Sequence, residues 1–350
     1  MSESILSESC RTRGLFLLVF FCLLPALCAA ATPPEPDEAF QFEDFPLAEP
    51  LEHPTWFKES FLDLRDDLEE AVTAGKKGII VYFGQRRCAY CQRLMKVNFG
   101  MEDIVSYTRR NFDIVPVDIW GVDELTDLQG QTLSERKFSV RENTNFTPSL
   151  IFYDSDGKEA LRLRGYYPPY KFRAALEYVA DGHHRRETFS AYMERAEGSM
   201  AFEPEELNEE AFFMPPPYAL DRSRLPGERP LAVFFEQGDC HACDVLHSQP
   251  LQEPAVEDLF RQFENVQLDY RSPTPVITPA GRRTTAREWA RELDLFYTPS
   301  IVFFDEQGKE IIRVDSVVQF YRLRNVLNYI NSRGYRTEPS YQRWRVNSGF

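Results

Sequence analysis

Four cysteines carry the chemistry of this sequence. Cys88 and Cys91 stand three apart in "GQRRCAYCQRL", and Cys240 and Cys243 repeat the spacing in "GDCHACD". Two thiols so spaced can clip a metal ion, close a structural disulfide or act as a reactive dithiol. The first sulfur, set at the N-terminus of a helix, meets unpaired backbone N–H groups and the positive end of the helix dipole. Both favour a thiolate. That thiolate attacks a disulfide, and the second cysteine, one turn further in, resolves the mixed disulfide. Neighbouring residues tune the balance. Arg87 (with Arg86) and Tyr90 flank the first pair, and the cations stabilise Cys88 as an anion. His241 flanks the second and does the same when protonated, while Asp239 pushes the other way.

The other three of the seven cysteines lie near the N-terminus, at Cys10, Cys22 and Cys28. There Arg11 and Arg13 precede the apolar run "GLFLLVFFCLLPALCAAA" and an Ala-x-Ala site ending at Ala31, the pattern of a signal peptide. An uncleaved anchor over residues 14–31 is the alternative. A stapled secreted scaffold spreads its cysteines over distant loops; two isolated close pairs do not fit one. The net charge of −15 argues against nucleic acid and against a polybasic membrane patch. No nucleotide-binding loop is present, so no organic cofactor is expected.

The elements that must position the cysteines come twice. Residues 32–54 are Pro-rich and acidic and read as a solvated spacer. Residues 55–182 form the first unit. The spacing of Phe57, Phe61, Leu64, Leu68 and Val72 predicts a helix ending at Gly75. A buried strand follows at Ile79 to Phe83, then the Cys pair, a strand "FDIVPVDI", a helix "LSERKFSVREN", a hairpin and a closing helix. Residues 183–228 read as a linker that includes a possible first helix of the second unit, residues 229–335 as that unit, and 336–350 as a tail. Cys88 and Cys240 are 152 residues apart; Pro148 and Pro299, and Asp154 and Asp305, are 151 apart. "TPSLIFYDSDGKE" and "TPSIVFFDEQGKE" are identical at eight of thirteen positions. The halves are repeats.

Strand, Cys pair, helix, strand, helix, hairpin, helix is the order of a thioredoxin fold. Thr147-Pro148 and Thr298-Pro299 precede a strand at the same distance from each pair. Both halves resemble thioredoxin-like disulfide oxidoreductases. The first is similar to SoxW-type periplasmic thioredoxins, including the insert "GVDELTDLQGQTLSERKF". The expected fold is α/β: two tandem thioredoxin-fold domains, each a mixed central sheet flanked by helices, after a signal segment. The resemblance implies Cys88 and Cys240 as nucleophiles and Cys91 and Cys243 as resolving thiols. It implies that Pro148 and Pro299 are cis and pack on the pairs, with Thr147 and Thr298 offering backbone groups to an extended peptide. It further implies a periplasmic location, protein disulfides as substrates and a membrane electron donor of the DsbD or CcdA kind. A reductant or electron relay is favoured over an oxidase or isomerase. One departure is plain. Thioredoxins carry a buried Asp six residues before the first cysteine, and here Tyr82 and Phe234 stand there. Water or Glu236 are alternatives for proton handling, and no general base is assigned.

The rival class is a non-catalytic binding scaffold or metal carrier. Four thiolates could hold zinc, but only if the two repeats dock face to face. A smaller set would be Cys240, Cys243 and His247. His247 is instead read as a surface helix residue and His183-His184 as solvated linker charge. No metal is expected. The tail is expected to pack on the second unit.

Overall fold

The computed structural model describes residues 39–197 and 206–349; the expected signal segment lies outside them. No helix among the described residues is long and apolar enough to cross a membrane.

The first repeat runs α1 (Leu64–Thr73), β1 (Gly78–Gly84), α2 (Ala89–Arg93, continuing through a π turn), α3 (Glu102–Asn111), β2 (Phe112–Asp118), β3 (Glu124–Thr126), β4 (Thr132–Ser134), α4 (Glu135–Arg141), β5 (Ser149–Asp154), β6 (Glu159–Arg164) and α5 (Pro169–Ala180). A further helix, α6 (Phe189–Glu197), follows. The second repeat runs β7 (Tyr218–Ala219), β8 (Leu231–Glu236), α7 (His241–Ser248), α8 (Pro254–Phe260), β9 (Glu264–Asp269), β10 (Pro275–Ile277), β11 (Arg283–Thr285), α9 (Ala286–Glu292), β12 (Ser300–Phe304), β13 (Glu310–Val314) and α10 (Phe320–Asn331). The tail adds α11 (Gly334–Thr337) and α12 (Tyr341–Asn347).

Each repeat has a mixed four-stranded sheet, ordered β2-β1-β5-β6 and β13-β12-β8-β9. β1 lies parallel to β2 and antiparallel to β5; β8 repeats this with β9 and β12. β1 and β8 are buried along their whole length, which is why they read as unbroken apolar runs. The insert before α4 is the β3–β4 hairpin, and Ser134 caps α4.

Four expectations are corrected. First, the opening helix starts only at Leu64. Leu62 has φ +62° and the Asp63 carboxylate caps the next turn, so the chain cannot be helical earlier. Phe57 is buried apart from the helix, and Phe61 is fully exposed at 101%. Second, residues 39–51 are no solvated spacer. Ala39 and Asp44 are buried, Phe40 and Phe42 pack on the first core, and Leu47 and Leu51 N–H groups donate to the Arg87 and Arg86 carbonyls. Third, α6 is not an opening helix of the second repeat. Its Phe189 and Met193 extend the core over α5, because that face of the first repeat offers Tyr178 and Phe172. Fourth, His184 is not solvated: its side chain is largely covered and faces Asp154 at 3.3 Å. The tail packs on the second repeat, with Tyr341 and Trp344 against Tyr329.

The repeats share their cores. Phe296, Tyr297 and Val317 join the first repeat's cluster, and Phe146 joins the second's. The close approach needs glycine at one point. Gly165 has φ +115°, and a Cβ there would lie 2.1 Å from Ser316 Oγ.

Candidate redox sites

β1 ends at Gly84, four residues before Cys88, and β8 ends at Glu236, four before Cys240. Each strand thus delivers its first cysteine to the N-cap of the next helix. The Cys91 N–H donates to Cys88 Sγ at 3.0 Å, and the Cys243 N–H donates to Cys240 Sγ at 3.1 Å. Both pairs are disulfide-bonded, with Cα atoms 5.1 Å and 5.2 Å apart. The first cysteine therefore sits where backbone donors stabilise a developing anion. Cys91 and Cys243 are wholly buried beneath them.

The Thr147–Pro148 and Thr298–Pro299 bonds are cis, and each threonine lies against its pair. Cys88 Sγ is 3.4 Å from Thr147 Oγ1 and 3.6 Å from the Thr147 carbonyl oxygen. Gln85 Nε2 donates to that hydroxyl at 2.9 Å, which leaves the hydroxyl proton for the sulfur. Cys240 Sγ is 3.6 Å from Thr298 Oγ1. Each threonine thus lies against the first cysteine of its pair.

The surroundings of the two pairs differ. Cys88 is 4% exposed, and Thr147 and Pro148 are buried. Tyr90 is buried as well. Its hydroxyl donates to Asp44 Oδ2 at 2.8 Å and accepts the Gln319 N–H at 2.8 Å. Asp44 also accepts the Tyr321 and Arg322 N–H groups at the start of α10. Burial, and then the Asp44 carboxylate, push the Tyr90 phenol well above its ordinary pKa. Arg87 is exposed, and its carbonyl holds Leu47. The second pair is more open: His241 is exposed, with the Phe40 ring edge-on at 5.2 Å, and Thr298 is half-buried.

The departure at the usual Asp position takes a different form in each repeat. Tyr82 is fully buried and its hydroxyl has no partner among the described residues. The ring lies over Gly84, where a Cβ would meet the hydroxyl at 2.5 Å. In the second repeat Phe234 lacks the hydroxyl, and Glu236, two residues further on, is wholly buried. Its carboxylate faces His247 Nε2 at 3.0 Å and accepts from Gln267 Nε2 at 2.9 Å. His247 Nδ1 faces Glu210 at 3.0 Å. His247 is therefore not a surface residue. It stands one helical turn beyond Cys243, on the same side of α7. Burial pushes its pKa down, but hydrogen bonds and attraction from Glu236 and Glu210 outweigh that and raise it. The spacing from Cys243 was a signal; the distant Glu210 partner had none. Among the described residues no group of three or more His, Cys, Asp or Glu is disposed to hold a metal ion.

Two cations were missed. Arg322 of α10 donates through Nη2 to the Thr147 carbonyl at 2.8 Å, and Lys171 of α5 donates to the Phe296 carbonyl at 2.8 Å. Lys171 and Arg322 are 151 residues apart, the repeat interval. Each repeat thus sends a cation from its last helix into the loop before the other's cis-proline.

A family model of the thioredoxin-like domain matches residues 64–180 and 217–331. No curated protein matches the chain. Among solved structures, a thioredoxin-fold protein from Helicobacter pylori is 21% identical over 41% of this chain and 94% of its own, with a TM-score of 0.35. The C-terminal domain of Neisseria meningitidis DsbD is 15% identical over 31% and 84%, TM-score 0.24. The first two thioredoxin domains of Saccharomyces cerevisiae Eps1p are 12% identical over 79% and 99%, TM-score 0.23. Two thioredoxin-like domains, each with a Cys-x-x-Cys pair at disulfide distance, support a thiol–disulfide redox function.

Proposed function

The chain belongs to the thioredoxin-like family, and we propose that it is an exported reductase or electron relay acting on protein disulfides. The observation that carries this reading is the repeated site: a disulfide-bonded pair whose first cysteine caps a helix beside a Thr-Pro loop. The Cys88 or Cys240 thiolate attacks one sulfur of a substrate disulfide, and the other sulfur leaves as a thiolate. Cys91 or Cys243, deprotonated, then attacks the mixed disulfide and releases the second substrate thiolate. Two electrons and two protons pass to the substrate, and the chain is left oxidised. Thr147 and Thr298 offer backbone groups to the substrate in extended form. Electrons return from a membrane donor of the DsbD or CcdA kind, and the location is the periplasm. The acidic chain suits protein partners rather than nucleic acid.

Two experiments test this. Dithiothreitol-driven reduction of insulin should be lost in the Cys88→Ser, Cys240→Ser double variant. If it is not, the pairs are inert and the chain is a binding scaffold. Thiol trapping in cells by acid quench should find the pairs mostly reduced. Mostly oxidised pairs would overturn the reductive direction.

A further inference from the structure

Arg322 lies in the second repeat but is spent on the first repeat's site. It is 8% exposed. Its guanidinium lies 3.3 Å over the Tyr90 ring and 5.0 Å from that of Phe146. Nη2 donates to the Thr147 carbonyl, the same oxygen that lies 3.6 Å from Cys88 Sγ. Guanidinium and sulfur are therefore second neighbours across one atom. Cys88 and Arg322 line one small cavity of about 40 Å³. Its other charged or titratable groups are Asp44, Arg87, Tyr90, Tyr321, Tyr341 and Arg345.

No carboxylate among the described residues pairs directly with this cation; Asp44 attracts it only from a distance. Among the described residues no carboxylate forms a salt bridge with it, and Nη1 has no hydrogen-bond partner. Asp44, the acid nearby, is taken up by the Tyr90 hydroxyl and two backbone N–H groups. A buried unpaired charge is costly, and the two rings offset only part of that. The corresponding residue of the other repeat is treated differently. Lys171 is buried too, but it is paired with Glu197 at 2.6 Å. The two repeats supply similar cations, and only Arg322 is without a direct carboxylate partner among the described residues.

We propose that Arg322 is the counter-cation of the Cys88 thiolate, supplied to the first redox site by the second repeat. The inference rests on the reading of Cys88–Cys91 as a reactive pair. In the disulfide form the guanidinium has no directly bonded anion, only the more distant Asp44 carboxylate. When two glutathione thiols reduce the pair, the Cys88–Cys91 bond breaks, glutathione disulfide forms and two protons are shared between the new thiols. Cys88 releases its proton to solvent, and the anion then sits beside Arg322. Reduction is thereby favoured, which makes the first pair more oxidising than it would be without the charge. Arg322 is a positioning and charge-supplying residue: it touches the loop, not the reacting sulfur.

The test is iodoacetamide alkylation of the fully reduced whole protein as a function of pH, read by mass at each Cys pair. Arg322→Gln keeps a donor for Thr147 and removes the charge; Arg322→Lys keeps the charge. In Arg322→Gln the Cys88 midpoint should rise by about one pH unit, so its rate well below the midpoint falls about tenfold. The Cys240 midpoint in the same molecule should stay put, and Arg322→Lys should restore most of the effect. In glutathione buffers the first pair's equilibrium should move up to about tenfold toward the disulfide, about 30 mV. Faster alkylation of Cys88 at every pH with an unmoved midpoint would mean that Arg322 only covers the site, and the proposal falls. Equal shifts at Cys88 and Cys240 would overturn it as well. If Cys88 and Cys240 are unreactive even in the reduced wild type, the redox reading itself fails.

Discussion

Asp44→Ala should loosen the segment that covers the first site. Asp44 is 7% exposed, and its two oxygens accept three hydrogen bonds, from the Tyr90 hydroxyl at 2.8 Å, the Tyr321 N–H at 2.9 Å and the Arg322 N–H at 2.8 Å. Hydrogen bonds to a charged group contribute about 1.5–3 kcal/mol each. Three give roughly 5–9 kcal/mol before the carboxylate's own desolvation is subtracted, a cost of several kcal/mol. A net loss of about 3 kcal/mol follows, above the usual range for a helix cap because the Tyr90 hydroxyl proton also loses its acceptor. The loss falls on residues 39–51, whose backbone ties to Arg86 and Arg87 are few, so it should appear as local release. Three kcal/mol is about a hundredfold in the population of the released state. Reduced Cys88 should then react with a bulky maleimide 10- to 100-fold faster at fixed pH, while Cys240 keeps its rate within a factor of about two. Asp44→Asn, which retains one acceptor oxygen, should fall between. A double cycle with Tyr90→Phe should show coupling above about 0.5 kcal/mol. If Asp44→Ala leaves the Cys88 rate unchanged, the segment does not gate the site and the reasoning is wrong.

Other perturbations read other parts of the structure. His247 has a folded pKa above its ordinary 6.5, so its contribution to stability is full below about 6.5 and fades as pH rises through the folded value. The urea midpoint of wild type should therefore fall on going from mildly acid to alkaline pH by more than that of His247→Gln; parallel curves would deny the buried charge pair with Glu236. Gly84→Ala should destabilise the first repeat by about 1–3 kcal/mol, because the new methyl meets the Tyr82 ring and hydroxyl. Tyr82→Phe should recover part of that in the double variant, and strict additivity would count against the clash. Trp344→Ala should cost about 3–5 kcal/mol in urea unfolding, since the tail closes the second core against Tyr329. A loss under about 1 kcal/mol would mark α12 as an appendage.

The repeat and the cysteines were legible because they are local. An apolar run buried on both faces reads as an inner strand wherever it occurs, as at Ile79 to Phe83. A cysteine at a helix start carries its stabilising donors with it, two and three residues along. The threonine before each proline kept its distance from each pair and meets the sulfur in both repeats. Local pattern misled where burial depends on a distant partner. The acidic, Pro-rich stretch at residues 39–51 has the composition of a solvated spacer, yet Phe40, Phe42 and Asp44 fix it between the repeats. His247 looked like one more polar helix residue because Glu236 and Glu210 lie 11 and 37 positions away.

By itself the sequence determined the repeat, the central strands and the four sulfurs, since the strands and Cys pairs are local patterns that recur in both halves. Tertiary structure alone decided what each site borrows from the other repeat. Arg322 reaches Thr147 across 175 residues, and Gln319 reaches Tyr90 across 229. No periodicity within either repeat says which surface the other will cover, because docking is set by side chains that meet only once both repeats have folded.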